Sequence, residues 1–564
     1  MGGRFHNIAG KTLMTLVHTR KTWRKIGGLD SVIMILILIW VAVLIAVVIL
    51  YLRQIYSTFS RNGVKHFRPV PLMGNMTRIL LRMDHFCDDI LRTYNSFPEE
   101  KFVGRFEFFN EMVMIRDIEL VKKITVKDFE HFLDHRAIFS TEDSFFSRNL
   151  FSLKGQEWKD MRSTLSPAFT SSKMRLMVPF MVEVGDQMMS ALQRKIKESK
   201  SGYIDIECKD LTTRYANDVI ASCAFGLKVD SHNDEDNEFY AMGKLTSTFK
   251  FRQLILFFIM ANAPKVANFL KMDFLSDVSK KFFRKLVLET MANREMQNII
   301  RPDMIHLLME AKKGKLTHED IKSDDEAAGF ATVEESSVGQ KQVTRVWSDD
   351  DLIAQAVLFF IAGFETVSAG MSFLLYELAV NPDVQERLAQ EIKETDAKNG
   401  GKFDFNSIQN MPYMDMVVSE LLRLWPPGIA LDRICTKDYN LGKPNEKTKN
   451  DFIVRKGMGI QIPAFAFHRD PQFFPNPDKF DPERFSEENR HTFHTFAYMP
   501  FGVGPRNCIG SRFALCEMKV MAYQILQYLE VVPCEKTCIP AKLDKETFNI
   551  RLQGGHWLRF KARN

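Results

Sequence analysis

The sequence predicts a mainly α-helical fold with small β-sheets, preceded by one N-terminal transmembrane helix. Three observations carry this. Apolar residues recur at helical spacing over long stretches, Ser31 to Leu52 is an uncharged apolar run, and strand-like pieces are few and short. The chain has 564 residues, 45% of them hydrophobic, and 47 are Phe, so it can bury a large greasy core and is not expected to be disordered.

Residues 1–30 form a basic leader. Arg4, Lys11, Arg20, Lys21, Arg24 and Lys25 precede the first acid, Asp30, and these six account for the whole net charge of +6. The remainder is balanced, so nucleic acid is not an expected partner. Residues 31–52 read as a transmembrane anchor into a lipid bilayer, about 33 Å long as a helix. Its orientation is not set by charge, because Arg53, Arg61, Lys65 and Arg68 balance the leader. The acid-free leader also resembles a mitochondrial transit peptide, although a full spanning helix does not normally follow one. Met34 offers an alternative start that would leave a short signal-anchor.

Residues 53–75 read as a linker and proline-rich hinge, stiffened by Pro69 and Pro71 and turned at Gly74. Residues 76–564 are expected to form the main globular domain. Helical patterns run over Met174–Lys197, Leu211–Phe225, Leu275–Lys312, Asp349–Val380, Val384–Glu394 and Tyr413–Leu424, with strands at Phe102–Arg105 and Gly459–Ile462. Ser348 is a candidate N-cap for the helix from Asp349, with Asp351 placed to complete a capping box. Gly314–Trp347 is polar and acidic and reads as a solvated loop. Leu254–Met260 is too short to span a bilayer, so it is core or an interfacial patch, with core favoured. The eight Cys are scattered, which fits a reducing compartment better than a disulfide framework.

The densest chemistry lies in Phe501-Gly-Val-Gly-Pro-Arg-Asn-Cys-Ile-Gly510. Gly502 and Gly504 allow a backbone that would strain other residues, and Gly510 would let a following helix approach a flat macrocycle. A thiolate at Cys508 would be favoured by Arg506 and by the amides of that helix. This F-x-x-G-x-R-x-C-x-G pattern resembles the cysteine loop of the cytochrome P450 family. Leu165-Ser-Pro-Ala-Phe169 and Val126-Lys-Asp-Phe-Glu-His-Phe132 are similar to insect microsomal, xenobiotic-metabolising members.

The resemblance implies the family's helical prism, haem b with Cys508 as axial ligand, and Phe501, Gly502, Gly504 and Gly510 cradling it. It maps the family's acid-alcohol pair onto Glu365 and Thr366 of Ala362-Gly-Phe-Glu-Thr366, where they would deliver protons for cleavage of dioxygen. From the residues alone, Gly363 weakens the helix there and the Thr366 hydroxyl can bond back one turn. Glu420 and Arg423, at i, i+3, would form with Arg484 a buried network holding the cysteine loop. Trp158, Arg162, Arg433 and Arg506 would bind the haem propionates. Substrate contacts by the same analogy fall on Phe139, Phe145, Phe146, Phe359, Ala362, Ile429, Leu431 and Phe548 in an apolar pocket.

The expected activity is insertion of one oxygen atom of O2 into a hydrophobic small molecule. NADPH would act indirectly, through a membrane-bound NADPH-cytochrome P450 reductase with cytochrome b5 as a further donor, at the cytosolic face of the endoplasmic reticulum. Alternatives are a haem-thiolate isomerase or dehydratase, which Glu365-Thr366 argues against, and a haem carrier or gas sensor, which needs no such pair. Other motifs fail on spacing. Gly502-Val-Gly504 lacks the third glycine of a dinucleotide loop, His468-Arg-Asp470 is not followed by the metal-binding Asn of a kinase, and Cys534, Cys538, His491 and His494 do not match a zinc finger.

Overall fold

The computed structural model describes residues 34–136, 145–234, 236–247, 251–313, 331, 338, 347–401, 403–489 and 491–563. The chain divides into two compact units between Asn62 and Gly63. In the first, helix α1 spans Met34–Tyr56. Its 23 residues rise about 35 Å, enough to cross a bilayer core. It outruns the expected run by four residues, because Arg53-Gln-Ile-Tyr56 contains no Gly or Pro to stop it. Residues 31–33 and the leader lie outside the described residues.

In the second unit, the proline-marked stretch is stitched to the first strand. Helix α2 (Phe86–Asn95) leads to β1 (Phe102–Glu107) and β2 (Asn110–Ile115). Val70 bridges to Gly74 and Gly74 to Glu107, while the Asn75 Oδ1 accepts the Phe106 N–H at 2.8 Å. Gly74 has φ +61°, and a Cβ there would meet the Phe106 carbonyl at 2.4 Å. The part of the expected hinge beyond Gly63 therefore belongs to the globular unit.

The next elements are α3 (Gly155–Leu165), α4 (Ser171–Glu198), β3 (Tyr203–Glu207), α5 (Cys208–Ile220) and α6 (Phe251–Asn262). The single helix expected over Leu275–Lys312 is two, α7 (Asp277–Gln297) and α8 (Met304–Lys312). Asn298 takes a left-handed conformation (φ +50°) and Pro302 has no N–H to continue the ladder, although the apolar spacing runs on. In α6, Phe258 and Met260 are buried whereas Ile255 is exposed, so the apolar patch is core on one face only.

Helix α9 (Asp349–Val380) runs through the interior with expected bounds and capping box: Ser348 Oγ accepts from Asp351 N at 3.2 Å and Asp351 Oδ2 from Ser348 N at 2.8 Å. It stays α-helical through Gly363, where a Cβ would meet Ile220 Cδ1 of α5 at 3.0 Å. That glycine serves close helix packing and does not break the helix.

The remaining elements are α10 (Pro382–Asn399), α11 (Pro412–Leu424), β4 (Leu431–Ile434), β5 (Gly459–Ile462), α12 (Ser511–Tyr528), β6 (Leu529–Pro533) and β7 (Trp557–Ala562). One sheet has the order β1-β2-β5-β4, with β2 and β5 parallel, and a second has the order β3-β7-β6. The loop expected over Gly314–Trp347 lies outside the described residues except at 331, 338 and 347.

Candidate haem site around Cys508

The cysteine loop is a tight, hydrogen-bonded turn. Cys508 N–H donates to Phe501 O at 2.8 Å and Asn507 N–H to Gly504 O at 3.0 Å. Gly502 and Gly504 have φ +76° and +73°, as their residue type predicts, and a Cβ on Gly504 would lie 2.0 Å from the Thr125 carbonyl. Helix α12 begins directly after the loop, with Gly510 as its N-cap. The Cys508 side chain is accessible, yet burial pushes its thiol up, opposed by the Gly510 N–H and by Arg162. The thiol is thus accessible although the protein around it disfavours its charge.

The charge acting on Cys508 is thus Arg162 and not Arg506. Arg162, buried on α3, donates to Asn507 O at 2.8 Å and to Asn507 Oδ1 at 2.7 Å. Arg506 points elsewhere: it donates to the carbonyls of Leu133 (2.8 Å), Leu150 (3.3 Å) and Leu153 (2.8 Å), and lies over the buried Trp158 ring at 4.0 Å. Burial and the nearby Arg433 both disfavour its charge. Arg433, on β4, is buried too. Among the described residues its guanidinium makes one hydrogen bond, to the Asp432 carbonyl at 2.7 Å, and burial pushes its pKa down to about 10. Asp432 is itself engaged by His135 at 3.0 Å and by the Arg136 N–H at 2.9 Å.

Three buried guanidinium groups gathered together, with Arg433 and Arg162 both disfavouring the Arg506 charge and Asp134 3.7 Å away supporting it, fit the dianionic edge of a haem. An accessible thiol beside the buried Arg162 fits the metal. The residues around Cys508 therefore suit the cofactor that the resemblance implies.

On α9, Ala362 and Thr366 are exposed although Phe360, Phe364, Glu365 and Val367 beside them are buried. The Thr366 hydroxyl donates to Ala362 O one turn back, as expected. Phe169 links this helix to the cysteine loop: its ring meets Phe359 edge-on at 5.4 Å, and it is the nearest neighbour (3.8 Å) of a Cβ built on Gly510. Glu365, next to Thr366, is buried in an ionic cluster. It is 3.2 Å from Lys209 Nζ and 3.0 Å from Arg551, with Asn549 Nδ2 donating at 3.1 Å. Burial opposes its charge, but Lys209 and Arg551 prevail and hold the carboxyl below its ordinary range.

Glu420 and Arg423 form a bidentate pair (2.7 and 2.9 Å) that is fully buried, and Arg484 joins at 3.4 Å. Arg423 also donates to His468 O at 2.7 Å and Pro477 O at 2.8 Å. The bridge from this network to the cysteine loop is His468. Its Nε2 accepts the Met499 N–H at 2.9 Å, two residues before Phe501.

Of the expected substrate contacts, Phe146 and Ile429 are buried and Phe359 and Leu431 half-buried, with Leu431 lying against Gly502. Phe548 stacks on Phe86 of α2 at 4.9 Å. Phe139 and the side chain of Phe145 lie outside the described residues. Sequence reasoning missed Lys209, Asn549, Arg551 and His468. The last stood inside a motif set aside as a kinase echo.

A family model for cytochrome P450 matches residues 64–556. The chain is 44% identical over 520 residues to cytochrome P450 9e2 of Blattella germanica, covering 90% of this chain and 94% of that one. It is 41% identical over 515 residues to probable cytochrome P450 9f2 of Drosophila melanogaster, covering 90% and 95%. It is 38% identical over 512 residues to probable cytochrome P450 6a13 of the same fly, covering 91% and 96%. The family model covers most of the chain and these relatives match nearly all of it, so the chain belongs to the cytochrome P450 family of haem-thiolate monooxygenases.

Proposed function

We propose that this chain hydroxylates or otherwise oxygenates a hydrophobic small molecule, a xenobiotic, lipid or hormone-like compound, with Cys508 as the thiolate ligand. NADPH-derived electrons arrive through NADPH-cytochrome P450 reductase, with cytochrome b5 as a second donor. Residues 31–52 anchor it in the endoplasmic reticulum membrane, with residues 76–564 as the catalytic domain on the cytosolic face. The observation that carries the reading is the accessible Cys508 in its glycine-turned loop, beside buried Arg162.

Haem b would supply dioxygen binding and oxidising power when held by Cys508. Trp158, Arg162, Arg433 and Arg506 would hold its propionates, the arginines exchanging carbonyl contacts for carboxylate ones. Phe359 and Ala362, on the same helix as Thr366, would offer an apolar guest apolar surface. Thr366 would hold a proton at Oγ1, and Glu365 would act as the acid once its ionic contacts loosen.

The test is the difference spectrum of the carbonyl-bound ferrous protein. Wild type should give the red-shifted Soret band of a thiolate complex and Cys508→Ser should lose it. An unchanged band in the variant would overturn the ligand assignment. NADPH consumption matched to hydroxylated product separates a monooxygenase from an isomerase.

A further inference from the structure

Glu365 is held by a loop from the far end of the chain. Residues 543–552 are closed at the base by a Leu543–Leu552 bridge and by Asp544 N–H donating to Arg551 O at 2.8 Å. The loop grips Glu365 Oε1 with Arg551 at 3.0 Å and Asn549 at 3.1 Å. Its neighbouring residue faces a different environment. Phe548 stacks on Phe86 and belongs to an apolar cluster with Met76, Ile79 and Phe258, which joins α2 to α6. The Asn549 carbonyl accepts from His85 Nε2 at 3.4 Å, tying the same loop to the start of α2. Consecutive residues thus connect an apolar cluster to the carboxylate beside Thr366.

The two cations on Glu365 differ in how firmly they are held. Lys209 is 6% exposed and donates to Ser368 Oγ at 2.6 Å and Thr213 Oγ1 at 3.0 Å, so the packed helices α5 and α9 fix it. Arg551 is 33% exposed and comes from the loop. Glu207 and His556 are the other ionisable groups near this pair. Withdrawing Arg551 leaves Glu365 with Lys209 alone and weakens the grip on its charge.

We propose that Asn549 and Arg551 are positioning residues, forming a latch that releases Glu365 when a bulky apolar guest displaces Phe548 from the Phe86–Phe258 cluster. This rests on the reading that Glu365 serves proton delivery. The latch makes the proton path conditional on occupancy, which limits unproductive reduction of dioxygen in the empty enzyme.

The experiment uses full-length holoprotein in detergent and follows the protonated-carboxyl stretch by infrared difference spectroscopy across a pH titration. The band assigned to Glu365 is the one lost in Glu365→Gln. Arg551→Gln should raise its midpoint by about one to three pH units, and Arg551→Lys should restore it. Asn549→Ala, which removes one neutral hydrogen bond, should shift it in the same direction and by less. Clotrimazole, a bulky apolar azole, should raise the midpoint in wild type and speed amide exchange over 545–550, and Phe548→Ala should blunt both responses. An unshifted midpoint in Arg551→Gln and Asn549→Ala, or loop exchange unchanged by clotrimazole, overturns the latch. The carbonyl difference band is recorded on each sample before clotrimazole is added. Its absence in wild type sinks the monooxygenase reading, and its presence with an unmoved carboxyl sinks the latch alone.

Discussion

The His468 ring joins Arg423 to Met499: Nε2 accepts the Met499 N–H at 2.9 Å, and Nδ1, 3.1 Å from the Arg423 carbonyl, donates to it. This arrangement requires a neutral ring, and burial pushes its pKa down to about 3. His468→Ala leaves two buried backbone groups unpaired, at about 1–3 kcal/mol each, read by urea unfolding. The folded pKa lies below the ordinary 6.5, so the His468 contribution is complete above pH 6.5 and drains as pH falls toward about 3. Wild type and variant should therefore converge in stability on acidification. Equal differences at about pH 5 and about pH 8 would contradict the neutral ring.

Glu420 and Arg423 are both 0% exposed, so neither charge tolerates loss of the other. Glu420→Ala strands a buried guanidinium and should cost about 3–5 kcal/mol. The double exchange Glu420→Leu with Arg423→Met removes both charges and should cost less than Glu420→Ala. Haem content per chain and denaturant midpoints report both effects. A double variant worse than the single would mean that the carbonyls of His468 and Pro477, and not the ion pair, are what Arg423 chiefly serves.

What was legible in the sequence was local. The Asp349–Val380 helix announced itself through a capping box and apolar spacing, the cysteine loop through glycines that sit at positive φ, and Glu420-Arg423 through i, i+3 spacing. Lys209 and Arg551 meet Glu365 across 156 and 186 residues, and His468 meets Met499 across 31, so no periodicity betrays them. Arg506 was misread for a related reason. Its place two residues from Cys508 suggested action on the sulfur, but tertiary carbonyls from Leu133 to Leu153 claim its donors. The split between α7 and α8 needed Asn298 and Pro302 to outweigh a continuous apolar pattern.

Thr366 has its hydroxyl bonded back to Ala362 O and its side chain exposed within a buried stretch of helix. Thr366→Ala should keep the fold and the carbonyl spectrum. NADPH oxidation should continue while hydrogen peroxide replaces product. Product formation should fall by about tenfold or more, set against the about 10²–10⁴ that a positioned proton-transfer group contributes. Thr366→Ser keeps the hydroxyl and should recover most of the product per NADPH. Tightly coupled turnover in the Ala variant would remove Thr366 from the proton path.

Gly504 and Gly510 flank Cys508 but answer to different neighbours, which makes them a paired test of the cofactor face. Gly504 is at φ +73°, and an added Cβ would sit 2.0 Å from the Thr125 carbonyl, so Gly504→Ala strains the protein itself. The left-handed backbone alone costs about 1–2 kcal/mol for a non-glycine residue, and the clash adds to it. Gly510 is at φ −92°, and the nearest protein atom to its added Cβ is Phe169 Cε1 at 3.8 Å, an ordinary contact. Protein packing therefore leaves room for Ala at 510, at a cost of at most about 1 kcal/mol from N-cap preference. If Gly510 is spared a side chain for the macrocycle, Gly510→Ala should unfold near the wild-type midpoint when stripped of haem, yet retain less haem per chain. Gly504→Ala should lose stability with or without haem. Matching losses in the two variants, or full haem retention in Gly510→Ala, would place the cofactor away from the start of α12.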